Sequence, residues 1–207
     1  MVPEIKASNI KKVFNRRVIF HDITFVLSKG QTLRVTGRNG SGKSTLVKII
    51  SRVLSPTAGT VEFSGMGAGR EADRLARVGL VSPYLQLYDE FSARENLRFA
   101  MAIRGGRTDE QEISSMLDVV ALSTRKDDPV RTYSSGMKQR AKYAFALIHR
   151  PTVLILDEPM ANLDVEGMNI VREIMDRQRR EGLLIVATND VSDLDRYDLE
   201  VNLNEAS

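Results

Sequence analysis

The stretch Gly37-Arg38-Asn39-Gly40-Ser41-Gly42-Lys43-Ser44-Thr45 decides how this 207-residue chain is read. It carries the spacing G-x-x-x-x-G-K-S. It lies between residues 32–36, which read as a short strand, and Leu46, Val47, Ile49 and Ile50, whose spacing is helical. Glycines let the backbone wrap an anion closely enough for successive N–H groups to point inward. A helix starting at the end of the loop adds the positive end of its dipole. Lys43 is placed to neutralise phosphate charge and Ser44 to offer its hydroxyl to magnesium. An ordinary glycine turn, in proteins with about 7% glycine, meets the whole pattern in well under ~1% of chains this long. The loop is therefore read as a nucleotide site.

Further along, Val153-Leu154-Ile155-Leu156-Asp157-Glu158-Pro159 is a continuous apolar run ending in two acids. Such a run has the character of a strand buried on both faces of a parallel sheet. Behind a phosphate loop, an aspartate at that strand end completes a magnesium shell. Glu158, next along, is placed to polarise an attacking water.

Outward from these two motifs the chain alternates. Residues 5–14 and 18–27 read as an early antiparallel ribbon around the break Asn15-Arg16-Arg17. Residues 61–63 and 78–81 are further strands, and the helix after the phosphate loop stops by Ser55-Pro56-Thr57. The pattern from Ser92 to about Ala121 is helical with a break at Gly105-Gly106, and 134–148 is a third helix. Residues 165–180 form a helix, 183–187 a strand, and 199–203 a weak final strand. Strand–helix alternation at both ends with helices clustered in the middle predicts an α/β core carrying a helical insertion.

Composition bounds the rest. A 42% hydrophobic content in 207 residues supports one domain with a sizeable core, and 28% charged residues fit a globular chain. Cysteine is absent, which excludes disulfides and thiolate zinc and fits a reducing compartment. No apolar run approaches the roughly 20 residues that span a bilayer, and the start at Met1 lacks a secretory signal, so a soluble cytoplasmic chain is expected. The net charge of +3 comes from scattered pairs such as Lys11-Lys12 and Arg179-Arg180 without an aromatic platform, so no nucleic-acid partner is expected.

Between the two motifs lies Tyr133-Ser134-Ser135-Gly136-Met137-Lys138-Gln139, opening a helix, and after them comes Ala161-Asn162-Leu163-Asp164. The first resembles the signature motif of ATP-binding cassette proteins, written L-S-G-G-Q, with Ser134 and Gly136 matching and Tyr133, Ser135 and Met137 departing. The second resembles the family's D-loop. The resemblance covers essentially the whole chain, and the ordered set is more specific than any one motif.

The resemblance implies a P-loop NTPase (RecA-like) core with an N-terminal antiparallel β subdomain and an inserted α-helical subdomain. The single domain 1–207 would divide into about 1–85 and 150–207 for the core and about 86–149 for the helical part. It implies ATP and Mg2+ as cofactors and ATP hydrolysis as the activity, with Glu158 as base, Lys43 on the phosphates, and Ser44 and Asp157 on the metal. It further implies a head-to-tail dimer in which Ser134, Ser135 and Gly136 close over the γ-phosphate of ATP on a second copy, with Asp164 near the seam. Phe14 matches the family's adenine-stacking aromatic, with plain core packing as the alternative.

Two positions depart from the family. A gapless match puts Pro83 where a glutamine usually contacts magnesium and the attacking water, and proline carries no side-chain amide. Gln86 could substitute only if the loop is shifted, and is otherwise a solvated loop residue. Asn189 stands where the family has its switch histidine; it can donate to a γ-phosphate but carries no charge. Slower hydrolysis is expected from both.

Three functional readings follow. In the first, the chain is the ATPase subunit of a transporter, with a separate transmembrane permease docking at Tyr84, Leu85, Leu87, Tyr88, Phe91 and 94–104, on the inner face of the membrane. The expected lack of a regulatory C-terminal extension, and the compact layout, resemble small haem-exporter ATPases, a likeness with no cargo residue behind it. The second is a non-transport cassette ATPase, for instance of the cell-division type. The third is a nucleotide-operated switch with negligible turnover.

Overall fold

A computed structural model describes residues 2–66, 71–104, 108–194 and 196–205. Two sheets organise it. Strands β1 (Glu4–Phe14), β2 (Arg17–Ser28) and β4 (Ala58–Ser64) form an antiparallel sheet in the order β2-β1-β4. Strands β3 (Thr32–Thr36), β5 (Val78–Val81), β6 (Val153–Asp157), β7 (Leu183–Ala187) and β8 (Leu199–Asn202) form a parallel sheet in the order β5-β6-β7-β3-β8. The helices are α1 (Lys43–Ile50), α2 (Glu71–Leu75), α3 (Ala93–Ala102), α4 (Glu110–Val119), α5 (Ser135–Leu147) and α6 (Val165–Glu181).

Residues 153–156 of β6 and 183–187 of β7 are apolar at every position because these two strands serve two cores at once. Side chains alternate faces along a strand. Val153 and Ile155 of β6, with Leu183 and Ile185 of β7, pack on α1 and the antiparallel sheet. Leu154, Leu156, Leu184 and Val186 point the other way, into a second core with α3, α4, α5 and α6. The uninterrupted hydrophobic runs are this alternation with both faces covered.

Three local features differ from the sequence expectation. Helix α1 ends at Ile50, not near Ser55, because Arg52 adopts a left-handed φ of 62° that no helix continues. Strand β4 is longer than residues 61–63, pairing with β1 from Glu4↔Ser64 to Lys11↔Ala58. The sequence pattern also gave no sign of the short α2. The expected helix from Ser92 to Ala121 resolves into α3 and α4, each opened by a side-chain cap. Ser92 and Glu95 form a reciprocal capping box, and Asp109 accepts from Gln111 and Glu112 N–H. The break expected at Gly105-Gly106 lies outside the described residues.

Candidate nucleotide site

Three neighbouring strands, β6, β7 and β3, end side by side, and the candidate residues leave from those ends. Outside the carboxyl ends of parallel strands is where open α/β sheets bind ligands. The loop from Gly37 to Gly42 follows β3, Asp157 and Glu158 close β6, and Thr188-Asn189 follows β7. Backbone bonds tie the ends together: Glu158 N–H donates to Ala187 O (2.8 Å) and Thr188 N–H to Val35 O (3.1 Å).

The glycines are required by geometry. Gly42 sits at φ 104°, where an added Cβ would lie 2.6 Å from Ile19 Cγ2, and Gly37 at φ 146°, with a Cβ 2.4 Å from Ser41 Oγ. Gly40 also has a positive φ, 83°, and faces open space. Asn39 and Ser41 complete the turn, and Ser44 and Thr45 are half-buried in the first turn of α1.

Lys43 is buried. Its ammonium donates to Gly37 O (3.0 Å), to Asn189 Oδ1 (2.8 Å) and, at 3.5 Å, to Arg38 O, and lies 3.9 Å from Glu158 Oε1. The Asn189 amide nitrogen in turn donates to Asn39 Oδ1 (2.5 Å). Asp157 is 1% exposed, and neither carboxylate oxygen has a hydrogen-bond partner. Burial pushes its pKa above the ordinary range, against the pull of the Ser44 hydroxyl and the Lys43 and Lys48 charges. Glu158 is also raised, first by burial and then by Asp157, Asp193 and Asp190, with Lys43 opposing. Its φ of 52° is a left-handed conformation that a non-glycine residue holds only at a cost of about 1–3 kcal/mol. The apolar pattern of the strand gives no sign of this conformation.

The remaining candidates lie around this centre. Phe14 is 43% exposed at the end of β1, with the Lys12 ammonium 4.7 Å from its ring centroid, so the core-packing alternative does not hold. Ser134 caps α5 by accepting from Met137 N–H (3.2 Å), with Ser135 exposed beside it. A Cβ on Gly136 would lie 3.2 Å from Asn162 O, so that helix tip packs on the segment leading to Asp164. Asp164 caps α6 through Gly167 N–H (2.8 Å). Pro83 is exposed just after β5, its carbonyl 3.5 Å from Lys142 Nζ. Gln86 is exposed and lines a cavity of about 300 Å³ with Pro83, Ser135, Lys138 and Asn162. That lining includes neither the phosphate loop nor Asp157 and Glu158. Leu87 packs against the helical core and is not free for docking, while Tyr84 is 64% exposed under the Lys48 ammonium, 3.9 Å away.

Fold and strand-end loops together define a P-loop α/β nucleoside triphosphatase. The match to known proteins narrows this: residues 20–161 fit the family model described as ABC transporter. The chain is 34% identical over 187 residues to the lantibiotic transport ATP-binding protein SrtF of Streptococcus pyogenes, covering 90% of this chain and 80% of that one. It is 35% identical to a lipoprotein-releasing system ATP-binding protein, LolD 1, of Caulobacter vibrioides, covering 92% and 88%. It is 32% identical to the linearmycin resistance ATP-binding protein LnrL of Bacillus subtilis, where it spans 60% of that relative's length. The solved ATP-binding subunit of an ABC transporter superposes with a TM-score of 0.83 at 26% identity, over 96% of this chain and 85% of that one. The chain belongs to the ATP-binding cassette (ABC) transporter family, as an ATP-binding protein. No described helix is long and apolar enough to cross a membrane.

Proposed function

We propose that the chain binds MgATP and hydrolyses it as the motor subunit of a transporter, closing on a second cassette around the nucleotide and passing that closure to a transmembrane permease. One observation carries the reading. Lys43, Asp157, Glu158 and Asn189 converge at the ends of three adjacent parallel strands, with a glycine loop open toward solvent at Gly40.

The residues fit magnesium. Asp157 offers two buried carboxylate oxygens without a partner, and the Ser44 hydroxyl lies close enough to lower its pKa. Hard oxygen donors of this kind suit Mg2+. When bound, the metal neutralises charge on the β- and γ-phosphate oxygens. Glu158, made more basic by burial, accepts the proton of the attacking water. Lys43 holds the phosphates through its ammonium, and Asn189 donates its amide to the γ-phosphate. Phe14, exposed beside Lys12, offers a face to adenine. The capped tip Ser134–Gly136 supplies N–H groups to ATP bound on the other copy, with Asp164 at the seam. Pro83 has no amide to help, and Asn189 has no charge, so turnover is slow for the family.

The exposed aromatics Tyr84, Tyr88 and Phe91 support the docking reading. The Tyr88 ring lies 5.4 Å from Phe91 and 5.0 Å from Phe99, making a continuous apolar patch that a permease segment would cover. The identities of the three relatives compared, ATP-binding proteins of a lantibiotic transport, a linearmycin resistance and a lipoprotein-releasing system, favour this over the cell-division and non-hydrolysing readings.

Steady-state ATP turnover tests the assignment. Glu158→Gln is expected to lose about 10²–10⁴-fold in rate, the worth of a general base, and Asn189→His to gain. A Glu158→Gln protein as fast as wild type would remove Glu158 from the reaction.

A further inference from the structure

We propose that Asn189 and Asn39 form a polar latch on Lys43, which an incoming nucleotide must open, so that these two amides set the affinity of the site. The inference rests on Lys43 being the phosphate-holding cation, and adds a step that precedes its grip.

An ammonium has three protons to donate and no acceptor. Here all three are directed at protein oxygens: Gly37 O at 3.0 Å, Asn189 Oδ1 at 2.8 Å, and Arg38 O at 3.5 Å with Glu158 Oε1 at 3.9 Å beside it. None is left for a phosphate unless one oxygen withdraws. Gly37 and Arg38 offer backbone carbonyls of the loop itself. Asn189 is different: it is an exposed side chain on the segment after β7, 146 positions away in sequence, and can rotate off without moving the loop.

The amide's orientation is forced. Only its oxygen can meet an ammonium, so its NH2 must face the other way, where Asn39 Oδ1 accepts at 2.5 Å. Asn39 belongs to the phosphate loop, so the chain of bonds runs from the loop through Asn189 back to the loop's own lysine. Asn189 thereby bridges Asn39 and Lys43 while it occupies the lysine. When the phosphates take Lys43, the amide is released on both sides and becomes free to donate to the nucleotide.

MgADP binding, measured by calorimetry, separates the latch from the γ-phosphate role, because ADP has no γ-phosphate for Asn189 to contact. Asn189→Ala is expected to bind MgADP about three- to tenfold tighter than wild type, the range set by a hydrogen bond to a charged group partly replaced by water. Asn189→Asp is expected to bind more weakly, since a carboxylate holds Lys43 through a charge-assisted bond roughly twice as strong and repels phosphate. A residue that merely braces the loop would weaken binding in both variants, and that result overturns the latch, as does an unchanged affinity in Asn189→Ala. Should thermal melting show Asn189→Ala to be unfolded, Asn39→Ala decides: it removes the amide's other anchor and is expected to tighten MgADP binding about two- to threefold, whereas no gain overturns the proposal. Wild type that binds no MgADP at millimolar concentration would instead overturn the phosphate-site reading, and the latch with it.

Discussion

Replacing Asp157 by asparagine sets function against stability. The carboxylate is 1% exposed and neither oxygen is paired in the fold, so burial removes it from water with only the nearby Ser44 hydroxyl and the Lys43 and Lys48 charges to offset the loss. An uncompensated buried polar group costs about 1–3 kcal/mol, more when charged. Asparagine keeps the volume and removes the charge while leaving its own amide poorly paired, so we expect Asp157→Asn to gain about 1–2 kcal/mol at pH 7 without nucleotide. For a chain of this size that is roughly 2–8 °C in melting temperature. The sign follows from linkage. Burial raises the pKa in the folded state, so the group favours folding below its unfolded pKa and loses that contribution as pH rises through the folded value. The advantage of the variant should therefore be full at neutral pH and fade in acid. Ligand reverses the order: at a hundredfold excess over Kd, MgATP adds about 2.7 kcal/mol to wild type and much less to the variant. Thermal melts with and without MgATP, at pH 7 and pH 4, read all of this. An Asp157→Asn protein less stable than wild type without nucleotide, or equally stabilised by MgATP, would refute the reasoning.

Two further outcomes are expected. His149 sits beside Arg104 with one ring nitrogen bonded to Val78 O, and burial together with that charge pushes its pKa down to about 4. Its contribution is full above about pH 6.5 and is lost as pH falls toward 4, so urea unfolding should show about 1–3 kcal/mol lost over that window, a slope missing in His149→Gln; parallel slopes would discount the histidine. Phe14→Ala should change folding stability by no more than about 0.5 kcal/mol, as for an exposed side chain, yet weaken ATP binding about tenfold if the ring stacks on adenine; unchanged ATP affinity would remove Phe14 from the site.

The parts of the fold legible in sequence were those whose cause is local. Residues 153–156 and 183–187 announce themselves because strands serving two cores must be apolar along their buried length. The phosphate loop is legible because Gly37 and Gly42 hold backbone angles and clearances that a Cβ would spoil. The helices opening at Ser92 and Ser134 are legible because a capping serine stands at each start, whereas the caps at Asp109 and Asp164 were shown by the structure. What was not legible depends on distant partners or on strain. No pattern in β4 says that it completes the ribbon with β1, and crossovers leave no trace in periodicity, so the order β5-β6-β7-β3-β8 had to come from the structure. Arg52 ends α1 in a left-handed conformation without a glycine to announce it, and Glu158 takes the same region directly after a strand. The contact of Lys43 with Asn189 joins residues 146 apart, and was found only once β3 and β7 lay side by side.

Sedimentation velocity on Glu158→Gln with MgATP, compared with MgADP, tests most directly whether a triphosphate is held between Lys43 of one copy and the Ser134–Gly136 tip of another. With the base removed and ATP intact, the account predicts a dimer in MgATP that reverts to monomer in MgADP and fails to form when Ser134→Arg blocks the helix tip. A protein that binds MgATP with wild-type affinity yet stays monomeric at every concentration tried would contradict it.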